Sequence, residues 1–134
     1  MTVAATGHSV LVDTSVFVDQ LRGHPPASAA LSGLLLGDTR VVASVLTRTE
    51  ILRGLPPRQR AAWKGLADLV VWLPVDSTLA DRAGEFAAHY RLSHGSIDLV
   101  DYVIAATAER AAAQLWTRNV RHFPMLPGLT EPYS

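Results

Sequence analysis

Ser9-Val10-Leu11-Val12-Asp13-Thr14-Ser15-Val16-Phe17-Val18-Asp19 is the stretch whose reading decides the fold. Val10, Leu11 and Val12 form a short, largely β-branched apolar run, the pattern of a strand buried on both faces. The run stops at Asp13, and Thr14 or Ser15 can cap a helix that follows. Open α/β sheets bind their ligands just beyond the carboxyl ends of strands. Asp13 is therefore either a helix cap or the first residue of a site, and the acids further along the chain favour the site.

Outward from this stretch, strands and helices alternate. Residues 15–21 suit a short helix ended by Gly23 and Pro25-Pro26. Residues 27–36 carry Leu31, Leu34 and Leu35 at helical spacing, a core stripe that could alternatively meet a partner, and Gly37 suits the C-cap. Residues 40–43 read as a second strand. Ser44 then opens a helix that carries Arg48, Glu50 and Arg53 and closes at Gly54. Residues 58–68 follow Pro56-Pro57 as a helix with Trp63, Leu66 and Ala67 on one side. Residues 69–74 form a third strand, stopped by Pro74. Asp76 or Ser77 caps an alanine-rich helix running to about Leu92, and residues 93–96 are a polar loop. Residues 98–113 have the strongest helical character, with no proline or glycine inside. Residues 114–117 make a fourth strand, and the tail from Pro124 is loop or edge segment. This order predicts an α/β fold with a mainly parallel sheet covered on both faces.

The 134 residues suit one domain, expected over 1–134 with a core at about 8–123 and a tail at 124–134. About half the residues are apolar and 18% are charged, a globular composition. Zero formal net charge argues against a broadly basic, non-specific nucleic-acid binder. Lys64 is the one lysine among twelve cationic residues, and an arginine bias suits bidentate phosphate contacts but equally reflects base composition. The absence of cysteine excludes disulfides, a thiol nucleophile and Cys-based zinc sites. No apolar run approaches the ~18 residues of a membrane span, and residues 1–8 lack the form of a signal peptide. A cytoplasmic location is expected.

Right-handed crossovers bring the carboxyl ends of parallel strands to one edge of the sheet. Asp13 and residues 117–119 fall on that edge, and Asp101 joins them from the first turn of the 98–113 helix. Glu50 lies between Ile51-Leu52 and its own turn, where a carboxylate needs a partner or a cation. Such acids repel one another unless a metal neutralises them, and hard oxygen ligands select magnesium or manganese over zinc. Asp98 and Asp101 are both near the helix start; Asp98 is read as the cap and Asp101 as the ligand, because only Asp101 abuts Tyr102-Val103-Ile104-Ala105-Ala106. Glu50 could instead pair with Arg48 or Arg53. The five histidines show no zinc-type clustering.

The order V-L-V-D-T-S, T-E-I-L-R-G, D-Y-V-I-A-A-T-A and L-W-T-R-N-V-R-H-F resembles the PIN-domain ribonucleases, and more narrowly the VapC toxins of bacterial VapBC pairs. The likeness runs from Val10 to about Phe123. It implies a three-layer α/β/α sandwich and a metal-dependent endoribonuclease that uses magnesium or manganese to activate water against an RNA phosphodiester. It further implies a small VapB-like antitoxin as partner, and a homodimer. On the family's pattern Asp13, Glu50 and Asp101 are the metal-binding acids. Thr14 or Ser15 matches the hydroxyl beside the first acid, and Thr117 one near the last strand. The family's fourth acid is not clearly present, and this segment offers Asn119 and His122. Asn119 is expected to turn its amide toward Asp13 and Asp101. His122 could ligate a metal through a neutral imidazole, but hard cations prefer oxygen, and the favoured reading is a loop histidine packed beside Phe123. Arg118 and Arg121 flank the site as candidate phosphate contacts.

Other classes fit less well. A dehalogenase-like phosphatase resembles D-x-D-x-T, but Ser15 stands at the second aspartate. A response-regulator receiver needs a lysine ending a late strand, and Lys64 is elsewhere. A PIN scaffold that binds RNA or antitoxin without cleaving is the remaining alternative, supported only by the missing fourth acid.

Overall fold

The computed structural model describes residues 8–134, so the reading of a missing leader in residues 1–8 lies almost wholly outside it. Four strands form one sheet in which every pairing is parallel: β1 (Ser9–Val12), β2 (Arg40–Ser44), β3 (Val71–Leu73) and β4 (Gln114–Trp116). Their order is β3-β2-β1-β4. The chain thus steps twice in one direction from β1, then crosses back to lay β4 on the other side of β1. That reversal opens a crevice between the carboxyl ends of β1 and β4, the position where open parallel sheets hold their ligands.

The reversal also sorts the helices into two layers, since right-handed crossovers in opposite directions fall on opposite faces. Helices α1 (Thr14–Leu21), α2 (Pro25–Leu36), α3 (Val45–Gly54) and α4 (Arg60–Ala67) belong to the crossovers among β1, β2 and β3. Helices α5 (Ser77–Tyr90) and α6 (Leu99–Ala111) belong to the return to β4. Alternating strand residues serve the two layers: Val10, Val12, Val41 and Ala43 pack with Phe17, Leu31 and Trp63, while Leu11, Val42 and Leu115 pack with Leu79, Ile104 and Phe123. In the first layer Trp63 stands edge-on to Phe17 at 5.7 Å and to Trp72 at 5.8 Å. Such pairs add about 0.5–1.5 kcal/mol each beyond burial. The three-layer α/β/α architecture is as expected.

Boundaries follow local chemistry. Ser44 caps α3 by accepting from the Leu46 N–H at 3.2 Å, and Asp76 rather than Ser77 caps α5 by accepting from Leu79 at 2.9 Å. The expected 58–68 helix begins as a separate 3₁₀ turn, Pro57–Gln59. The third strand is shorter than the 69–74 run, because Leu69 is exposed in a turn. Helix α6 ends two residues early, where Ala112 adopts a left-handed conformation at φ 51°. Glycine normally takes that position, so nothing in the sequence marked the end. Leu31 is core, and Leu34 and Leu35 pack against the same cluster. No helix among the described residues is long and apolar enough to cross a membrane.

Candidate active site

Strand register builds the centre of the site. Val12 pairs with Trp116, and the Asp13 N–H donates to the Trp116 carbonyl at 2.9 Å. The next residue on each strand, Asp13 and Thr117, therefore meets its counterpart at the mouth of the crevice. Thr117, fully buried, donates its hydroxyl to Asp13 Oδ2 at 2.8 Å, and Ser15 donates to the same oxygen at 3.3 Å. Asp13 occupies the N-cap position of α1, yet its side chain makes no capping bond. Its carboxylate is held instead by Thr117 beyond β4 and by Ser15 of α1, at the mouth of the crevice.

Glu50 reaches the same edge from the other side of β1, because α3 follows β2. Thr14 Oγ1 lies 2.6 Å from Glu50 Oε1 and 3.1 Å from Thr47 Oγ1. A hydroxyl has one proton, and the shorter contact, to a carboxylate, takes it. Thr47 is wholly buried and was not singled out in the sequence. The signal was its spacing, since positions three apart share a helix face and Thr47 and Glu50 are such a pair.

Asp101 stands in the first turn of α6 and is 17% exposed. Its Oδ2 accepts from the Asp98 N–H at 3.4 Å and faces His122 Nδ1 at 3.1 Å. Asp98 holds the N-cap position of that helix, as expected. The His122 contact was not expected. A 3₁₀ turn, Val120–His122, is closed by the His122 N–H on the Asn119 carbonyl at 2.9 Å, and it lifts His122 onto Asp101. Asn119 instead makes its contact through the backbone, donating its N–H to Thr117 Oγ1 at 3.0 Å, and its amide bonds neither Asp13 nor Asp101.

The two candidate phosphate contacts differ. Arg118 donates its backbone N–H to Ser15 Oγ at 3.0 Å, close to the site. Its guanidinium is engaged elsewhere, with Asp19 at 2.9 Å, Glu131 at 2.7 Å and the Tyr133 ring at 4.8 Å. Tyr133 donates to Asp19 at 2.7 Å, so the C-terminal tail is knotted to α1 through Arg118. Arg121 is exposed and makes no ion pair among the described residues.

Electrostatics mark Asp13 as the strained group. Burial, helped by the charges of Asp101 and Glu50, pushes its carboxyl up to about 6 against the opposing pull of the Thr117 hydrogen bond. Burial also raises Asp101, with His122 opposing. Among the described residues no three acids or histidines close into a ready-made cage. The donor set still fits a divalent cation: three carboxylates, all hard oxygens, whose mutual repulsion is felt at a buried member.

Comparison with known proteins places the fold in a family. The PIN domain family matches residues 10–126, which is most of the chain. The chain is a PIN-domain protein. Among PIN-domain relatives, it is 46% identical to Ribonuclease VapC19 of Mycobacterium tuberculosis over 123 residues, covering 92% of this chain and 98% of the relative. It is 38% identical to Ribonuclease VapC10 of the same organism over 128 residues, covering 93% of each. This PIN domain also superposes on a chain of a toxin–antitoxin complex from Klebsiella pneumoniae with a TM-score of 0.77 and 25% identity, covering 93% and 98% of the two chains. It belongs with the VapC ribonucleases.

Proposed function

We propose that this protein is a metal-dependent endoribonuclease that acts as the toxin of a toxin–antitoxin pair. The observation that carries the reading is the buried Asp13 carboxylate, held at the crevice by Thr117 and Ser15 and burdened by the charges of Asp101 and Glu50. A magnesium or manganese ion among these acids would supply Lewis acidity and a water of lowered pKa. The chain's own contribution is to fix the acids. Thr117 and Ser15 orient Asp13, Thr14 orients Glu50, and the Asp98 N–H and His122 orient Asp101. Arg121, free at the rim, suits an RNA phosphate, whereas Arg118 would first have to leave Asp19 and Glu131. A VapB-like antitoxin, a homodimer and a cytoplasmic site of action complete the proposal. The toxin–antitoxin complex on which the chain superposes and its VapC relatives support the first of these. Beyond the missing fourth acid, no feature of the described residues or of the relatives favours the non-cleaving scaffold.

The test is cleavage of purified cellular RNA with magnesium, with manganese and with EDTA, followed by sequencing of the new 5′ ends. Metal-dependent cuts at a shared motif are expected, and intact RNA in every condition would refute the nuclease. Expression alone should arrest a bacterial host, and co-expression of a small neighbouring reading frame should relieve the arrest. Harmless expression of nuclease-active protein would leave the enzyme standing and remove the toxin role.

Within the site, His122→Ala is expected to slow cleavage by ~10–100-fold, the usual effect of losing a group that orients a metal-binding residue. Asn119→Ala should cost only a few-fold, because its bond to Thr117 runs through the backbone. Single-turnover rates of the two variants decide the order, and a larger loss at Asn119 would reverse these roles.

A further inference from the structure

A cavity with a mainly apolar lining lies one residue round the helix from Asp101. It has a volume of about 440 Å³ between the end of α5 and the start of α6, and Arg91, His94, Gly95, Ile97 and Tyr102 are among its walls. That size is within the range of small-molecule pockets. Tyr102 is only 3% exposed, and its buried hydroxyl has no hydrogen-bond partner among the described residues. Buried polar atoms without partners are rare and call for an explanation. The remaining walls are mixed: apolar at Ile97, cationic at Arg91, and an imidazole at His94 whose Nδ1 faces Ser93 Oγ at 2.8 Å.

Topology puts this cavity on the active edge. Because α6 leads into β4, its first turn lies beside the carboxyl ends of the strands, and α5 packs against it. Asp101 and Tyr102 are adjacent on α6, so their side chains diverge by about 100°. One serves the crevice and the other floors the cavity.

We propose that this cavity receives one nucleobase of the RNA next to the scissile phosphate, with the Tyr102 hydroxyl hydrogen-bonded to the polar edge of the base. The proposal rests on the nuclease reading above and deepens it into a specificity site. Single-stranded RNA is recognised by splaying bases onto aromatic, histidine or arginine side chains and bonding their edges. Tyr102, His94 and Arg91 offer that set around an apolar wall. A base needs both features, whereas a purely aliphatic protein side chain would leave the hydroxyl unpaired.

The experiment compares Tyr102→Phe with the unmodified protein in two arms. In the first, each cuts a randomised RNA pool with magnesium, and the cut ends are sequenced. The preference for one base beside the cut should fall by roughly tenfold or more in Tyr102→Phe, since a site built to bond a polar edge loses discrimination with that bond. Total cleavage should change far less. An unchanged preference overturns the proposal and leaves the hydroxyl merely hydrated. In the second arm the four nucleoside 5′-monophosphates are titrated into the Asp13→Asn protein, with NMR signals of His94 and Ile97, which both variants retain, as the readout. Base-dependent shifts that vanish on adding Tyr102→Phe support the pocket even if no RNA is cut, separating its fate from that of the nuclease. Identical or absent shifts for all four, or a response at these residues to the antitoxin alone, would overturn it.

Discussion

Asp13→Asn is expected to abolish RNA cleavage and at the same time to stabilise the metal-free protein near neutral pH. The first effect follows from position. Asp13 is the buried acid of the crevice, and an amide neither carries the charge a divalent cation needs nor supports the acidity of its water. The loss should therefore exceed the ~10–100-fold typical of residues that merely orient a ligand, and Asp101→Asn should match it. The second effect follows from the raised carboxyl. With a folded value of about 6 against an ordinary 3.8, the folded state holds the proton more tightly than the unfolded chain. Stability is then fully present below pH 3.8 and declines as the pH rises through about 6. By pH 7 the ionised Asp13 costs the fold up to about 3 kcal/mol. Asparagine keeps an oxygen for Thr117 and Ser15 but carries no charge, so it escapes that cost. Calorimetry in EDTA should show the variant melting several degrees higher at pH 7, with the gap closing by pH 4. A variant that is destabilised at pH 7, or that cuts RNA at the normal rate, would overturn the assignment of Asp13.

The parts of this site that were legible in the sequence are those in which one local pattern carries the answer. Val10, Leu11 and Val12 announce a buried strand, and the acid after them announces the edge of a sheet. Asp98 takes the N-cap, as its place ahead of the apolar run suggests, although Asp101 also joins the cap by accepting from the Asp98 N–H. Strand order was not legible, since nothing local in residues 114–116 says that β4 returns to the far side of β1. The meeting of Asp13 with Thr117 follows from that return, across 104 positions. The same holds for the knot of Arg118, Asp19 and Tyr133, whose members lie 99 and 114 positions apart. His122 was misplaced for a different reason. Between Asn119 and His122 the chain makes a single tight turn, and whether such a turn lifts its third or its first side chain toward the helix is a matter of tertiary fit. Tyr102 reads as one more apolar position of α6 until its hydroxyl is seen to be without a partner.

Magnesium or manganese is expected to raise the melting temperature by an amount that grows with pH. A cation that binds only the folded state stabilises it by about 2.7 kcal/mol at a hundredfold excess over its dissociation constant. The site must first be ionised, because metal and proton compete for the same carboxylate. At pH 7.5 Asp13 is ionised, and the repulsion it feels from Asp101 and Glu50 is what the cation removes. At pH 5, below the Asp13 value of about 6, the proton holds the oxygen and metal affinity falls by roughly tenfold. At fixed metal that removes about 1.4 kcal/mol of the stabilisation, so the shift at pH 5 should be about half that at pH 7.5. Manganese should exceed magnesium, following the general affinity order of divalent metals. Melting curves at pH 5, 6 and 7.5 with each metal and with EDTA measure all three trends, and the Asp13→Asn, Asp101→Asn double variant should show none of them. Curves that coincide with and without metal at pH 7.5 would remove the metal centre. A metal shift independent of pH would locate it away from Asp13.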